Sequence, residues 1–216
     1  GPGAGAPGAR GVSDFIVLVS DGRPTGDSLA GRDLINALTA DNVARRTIYT
    51  IGAGTSANRY LLDLLAYRNK GMTFVSAKSD ALDEDIPAFL SRVHEPVLVD
   101  LSADYGRISR DEIFPKEVPD FYGGRAVAVY GKFDPERDKE MVMRLHGWAG
   151  AQQKELVFKA DLSAADTGDT EIAEEWAFQK SYFIIGEICA SGESPELVEE
   201  LNRLSRTYGV RTSYTP

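Results

Sequence analysis

RTIYTIGAGTSANRYLLDLLAYRNKGMTFVS, residues 46–76, decides the fold. RTIYTIGAG (46–54) is a β-branched run that ends in glycines, as a strand does where it gives way to a turn. SANRYLLDLLAYRN (56–69) follows with leucines at helical spacing, and Ser56 stands where a helix N-cap is expected. MTFVS (72–76) is a second short strand. Two strands joined through a helix run parallel, because a parallel pair needs a crossover of about this length.

The same unit repeats on both sides. Upstream, DFIVLVS (14–20) is an apolar run closed by Asp21-Gly22, and DSLAGRDLINALTA (27–40) carries Leu29, Leu34, Ile35 and Leu38 at near-helical spacing. Downstream, residues 83–94 put Ile86, Phe89, Leu90 and Val93 on one helix face, with Pro87 acceptable in a first turn. Three consecutive βα units imply a parallel sheet with both faces covered. The opening GPGAGAPGAR lacks the strict glycine period of a collagen helix and reads as a loop or linker over residues 1–13.

After Glu95-Pro96 the rhythm changes. VLVDLSADY (97–105), RAVAVYGKF (125–133), MVMRLHGWA (141–149) and KELVFKADL (154–162) read as strands, the last two as a hairpin across a short glycine-containing stretch within GWAGAQQ. Helices are expected over about 170–190 and 195–207, the second opened by Ser194 as N-cap with Pro195 at the first helical position. The expected organisation is therefore an α/β half-domain over 14–96 and a β-rich region with two C-terminal helices over 97–216.

Composition narrows the function. A net charge of −9 with no Lys/Arg cluster argues against nucleic acid as a partner. No apolar stretch reaches the 18–20 or so residues that span a bilayer. The single cysteine, Cys189, lies in the apolar run IIGEICA and reads as a buried small hydrophobe. Trp148 and Trp176 read as core aromatics.

Asp21 is the leading site candidate. It follows an apolar strand directly, and open parallel sheets gather ligand groups at the carboxyl ends of their strands; an ordinary Asp-Gly turn is the alternative. Thr25, Asp27 and Ser28 could add oxygens, or merely cap the next helix. Gly52-Ala53-Gly54-Thr55-Ser56-Ala57 satisfies the G-x-G-x-x-A dinucleotide pattern, which would make the chain a nucleotide-dependent oxidoreductase. Yet the next strand ends in Ser76 where an acid should hold the ribose, and the first acid, Asp80, comes later. Asp80, Asp83, Glu84 and Asp85 suit the positive end of a helix. Ser20 lacks a nucleophile elbow, and His94 and His146 fall in different regions, so no hydrolase triad or zinc spacing emerges.

IVLVSDGRPTGD, TIYTIGAGTSANRYLLDLLA and MTFVSAKSDALDEDIPAFLSRV together resemble the last three βα units of a von Willebrand factor A domain. PVLVDLSADYG, EIFPKEVPDFYGGRAVAVYGKF, IAEEWAFQK and ELVEELNRLSRTYGVRTSYT resemble the region after that domain in proteins that also carry a VIT module, the inter-alpha-trypsin inhibitor heavy chain-like family. The resemblance implies the C-terminal half of a doubly wound, Rossmann-like domain, with the chain cut at both ends. It implies a non-enzymatic adhesion or protein-binding module, with a protein ligand, at the cell surface or outside the cell. It also implies a divalent cation, Mg²⁺ or Mn²⁺, held through an Asp-x-Ser-x-Ser loop, a Thr and the Asp that ends the fourth strand. Of those ligands this sequence offers Asp21 alone. A scaffold that binds no metal is the alternative.

Overall fold

The computed structural model describes residues 14–23, 31–54, 56–76, 82–93, 96–123, 126–165 and 169–212. The chain divides into two compact units. Unit 1 holds residues 1–101, 119–127 and 147–154, and unit 2 holds 102–118, 128–146 and 155–216.

In unit 1 the expected βα rhythm is present: β1 (Phe15–Ser20), α1 (Gly31–Asp41), β2 (Thr47–Ala53), α2 (Arg59–Arg68), β3 (Thr73–Ser76) and α3 (Leu82–Val93). The strands form a parallel sheet in the order β1-β2-β3, with Ile16 beside Ile48 and Ile51 beside Phe74. The mixed α/β class with a parallel sheet is as the sequence indicates. Residues 47–52 of β2 are all buried, because alternate side chains face covered sides. Thr50 donates its hydroxyl to the Leu62 carbonyl of α2 at 3.2 Å. Tyr49 and Ile51 point the other way, into a cluster with Phe89 and Val93 of α3 and with Tyr122. Tyr49 is its centre, edge-on to Phe15, Phe89 and Tyr122 at ring separations of 5.7, 5.3 and 6.3 Å.

A half-buried acid ties this sheet to the next segment. Asp120 accepts from the Thr47 hydroxyl at 3.3 Å and from the Asp100 amide at 2.9 Å. Burial pushes its carboxyl above the usual range, against the pull of that amide, of Lys70 and of the Thr47 hydroxyl. Asp100 itself sits at φ +54°, uncommon for a residue with a side chain.

After α3 come β4 (Pro96–Asp104), β5 (Ile113–Phe114), β6 (Phe121–Tyr122), β7 (Tyr130–Gly131), β8 (Glu140–Ala149) and β9 (Gln152–Asp161), then α4 (Thr170–Ser191) and α5 (Pro195–Tyr208). One sheet has the order β6-β4-β8-β9, and β5 pairs with β7. The β8–β9 hairpin turns on Gly150 and Ala151, with Gly150 at φ +57°, the conformation that tight hairpins require.

In unit 2 the core gathers on α4 and α5. Trp176 is 2% exposed and donates its indole N–H to the Glu112 carbonyl at 2.8 Å. Phe114 and Tyr208 meet it edge-on, and the Lys132 ammonium lies 3.6 Å from its ring centre. The α5 caps follow the sequence expectation: Ser194 Oγ accepts from the Leu197 amide, and Gly209 closes the helix at φ +71°. Cys189 is buried, as its apolar neighbours suggest.

Glu200 on α5 accepts two bonds from Arg203, at 2.7 and 2.6 Å, and pairs with Lys180 at 2.9 Å. Arg203 first and Lys180 second hold its carboxyl down at about 2, against an ordinary 4.5. A folded value below the unfolded one means stability that is present above pH 4.5 and lost as pH falls through 2. Glu200→Gln is therefore expected to cost about 1–2 kcal/mol at pH 7, after discounting for solvent screening. Urea titrations should show that difference vanishing between pH 4.5 and 2.

Four local expectations need correction. The cap of α2 is Asn58, which accepts from the Leu61 amide, and not Ser56. Among the described residues of RAVAVYGKF only Tyr130 and Gly131 form a strand, because their partner β5 is two residues long. Pro87 lies in the second turn of α3, where its missing N–H leaves the carbonyl of exposed Asp83 to solvent. Trp148 is half-buried, unlike Trp176.

Candidate functional site

The carboxyl ends of β1, β2 and β3 lie side by side: Ser20 is in register with Gly52, and Ala53 with Ser76. Asp21 is the first residue beyond this edge of β1 and is exposed. Its backbone carbonyl accepts from the Asn58 amide at 2.7 Å, and its Oδ1 accepts from the Arg23 amide at 3.0 Å. Gly22 follows at φ +69°, buried so closely that a β-carbon there would stand 2.7 Å from the Asn58 carbonyl oxygen. Only glycine satisfies both demands. The Gly22 amide in turn donates to Ser20 Oγ at 3.0 Å. The exit from β1 is thus fastened to the start of α2, and Asn58, which the sequence reading passed over, is the fastener. Its signal in the sequence is an Asn directly before the helical run RYLLDLL.

Asp21 Oδ2 has no partner among the described residues. No group of three or more His, Cys, Asp or Glu side chains comes together among them. Mg²⁺ asks for near-octahedral oxygen coordination, so these residues fit one ligand position and cannot hold the ion by themselves. Thr25, Asp27, Ser28, Asp80 and His94 lie outside the described residues, while Asp83, Glu84 and Asp85 occupy the first turn of α3.

The glycine-rich turn after β2 joins strand to helix through a run of backbone hydrogen bonds. Gly54 donates to the Ser76 carbonyl at 3.1 Å, Ala57 to Gly54 at 3.3 Å and Arg59 to Ala57 at 2.9 Å. Leu61 and Leu62 both donate to Asn58. A pyrophosphate at a helix N-terminus needs open amides, and those of Gly54, Ala57, Arg59, Leu61 and Leu62 are taken up in these bonds. Gly52 packs closely, since a β-carbon would meet Leu62 Cδ1 at 3.0 Å and Val75 Cγ2 at 3.3 Å.

No profile of a known protein family matches the chain. By sequence it is similar to inter-alpha-trypsin inhibitor heavy chain H2 of Sus scrofa, 26% identical over 130 residues that cover 59% of this chain and 14% of that protein. A stretch of 122 residues is 27% identical to protein mono-ADP-ribosyltransferase PARP4 of Mus musculus and covers 6% of it. The chain thus spans a small part of the curated relatives it matches. Among solved structures, a von Willebrand factor type A protein from Catenulispora acidiphila superposes with a TM-score of 0.50 at 15% identity, over 93% of this chain and 57% of that one. The chain is similar in sequence to part of the inter-alpha-trypsin inhibitor heavy chains, and its fold is like that of von Willebrand factor type A domains.

Proposed function

We propose that this chain is part of a protein-interaction module whose contact surface is the carboxyl edge of β1–β3. In that reading Asp21 gives one oxygen to a divalent cation, Mg²⁺ or Mn²⁺, and the remaining ligands are oxygen donors outside the described residues. A protein partner's carboxylate could then complete the shell, which makes adhesion cation-dependent. The observation that carries the reading is the Asp21 loop: its backbone is fixed by Asn58 and Gly22 while Oδ2 has no partner among the described residues. A fixed backbone with a free oxygen is what a ligand position needs, since little ordering remains to be done on binding.

The module reading also rests on the heavy-chain relatives, and a working place outside the cell or on its surface is proposed with it. No described helix is long and apolar enough to cross a membrane. The test is Mn²⁺ titration of the ¹⁵N-labelled chain and of Asp21→Asn, reading which amides the paramagnetic ion broadens. Loss of Mn²⁺ broadening on substitution supports the reading; unchanged broadening favours a scaffold whose sheet edge binds no cation at Asp21.

A further inference from the structure

β9 is the last strand of its sheet among the described strands and has no partner on its outer side. It is ten residues long, and every residue but Ala160 is exposed. Leu156, Val157 and Phe158 are 39%, 49% and 44% exposed, so apolar side chains lie open on both faces of the strand. An edge strand with an apolar centre and unpaired amides and carbonyls is a template for another strand.

The residues of this edge say which strand fits. With Val157 set opposite itself in an antiparallel pair, Glu155 falls opposite Lys159 of a second copy, and Lys159 opposite its Glu155. On the other face Leu156 meets Phe158, twice. Moving the centre to Phe158 would put Glu155 against Asp161, two like charges, and moving it to Leu156 would leave Glu155 against Val157. Of these three registers, the one centred on Val157 pairs opposite charges and apolar side chains together. Glu155 already has Arg144 of β8 at 3.7 Å, so an arriving lysine would extend an existing cross-strand ion pair. Lys159 has no ion pair among the described residues.

We propose that the outer edge of β9 is a homodimer interface, with Glu155–Asp161 of two copies paired antiparallel about Val157. A segment running Glu-Leu-Val-Phe-Lys is self-complementary in this sense, and a C2 contact demands such self-complementarity. The proposal uses no residue of the Asp21 edge, and its test does not depend on cation binding.

The experiment is sedimentation equilibrium on the 216-residue chain, on Lys159→Glu, and on the swapped double variant Glu155→Lys/Lys159→Glu. The parent is expected to dimerise. Lys159→Glu turns two attractive contacts into like-charge contacts and should weaken the dimer about tenfold or more. The double variant restores opposite charges in the same register and should recover the dimer. Circular dichroism of each variant separates misfolding from lost association. A parent that stays monomeric, a Lys159→Glu dimer of unchanged affinity, or a folded double variant that stays dissociated would each overturn the proposal.

Discussion

Gly71→Ala is expected to destabilise the parallel sheet by at least about 3 kcal/mol, enough to unfold a marginal unit. Gly71 lies where α2 hands the chain to β3. A β-carbon there would fall 1.8 Å from the Ile48 carbonyl oxygen, a backbone atom that no rotamer change can move aside. The neighbourhood is already fully committed. Ile48 donates to the Asn69 carbonyl at 3.1 Å, and Gly71 donates to the Ala66 carbonyl at 2.8 Å. Asn69 also ties α2 to α1, donating to Thr39 Oγ1 at 3.1 Å and accepting from Asn42 Nδ2 at 2.9 Å. A shift that relieves the methyl must therefore break bonds to β2 or to α1. Hydrogen exchange of the Ile48–Ile51 amides should lose most of its protection in the variant. Protection equal to the parent's would mean that the start of β2 is not packed against Gly71 as described.

Trp176→Ala should cost about 3–5 kcal/mol, the range for emptying a large buried aromatic site. The indole contributes packing to Phe114 and Tyr208, a hydrogen bond to the Glu112 carbonyl, and a face for the Lys132 and Lys180 ammonium groups at 3.6 and 5.0 Å. Trp176→Phe keeps most of the ring and loses the N–H donor, leaving the Glu112 carbonyl without that bond; about 1–2 kcal/mol is expected. Urea denaturation followed by near-ultraviolet circular dichroism measures both. Equal losses for the two variants would show that the hydrogen bond, and not the ring, carries the site.

The parts of this fold that were legible in sequence are those where a local pattern has one tertiary meaning. Thr47–Ile51 is β-branched and continuous, and such a run closed by glycines suits a strand covered on both sides. Ser194-Pro195 and Gly209 bracket α5 by capping chemistry that acts within a turn or so of the helix end. What escaped depends on partners far along the chain. Ser56 and Asn58 are both good cap residues, and the choice falls to Asn58 because its own amide reaches the Asp21 carbonyl. RAVAVYGKF has strand composition along its length, but a strand extends only as far as its partner, and β5 ends after Phe114. Asp120 reads locally as an acid in a proline-flanked loop; its burial beside Thr47 and Asp100 exists only once β2 and β4 are in place.

The candidate site divides in the same way. That an aspartate ends β1 at the carboxyl edge follows from an apolar run stopped by Asp-Gly. That its loop is held rigid by Asn58 and by a glycine with no room for a β-carbon does not, because neither contact lies within the motif.

The most direct test of the central claim is the Mn²⁺ broadening experiment on the ¹⁵N-labelled chain. The claim predicts that the amides of Asp21, Gly22, Gly54 and Asn58 broaden first as Mn²⁺ is added, and that Asp21→Asn abolishes this without changing the other chemical shifts. Broadening that centres elsewhere, or that persists around β1 in Asp21→Asn, would contradict it.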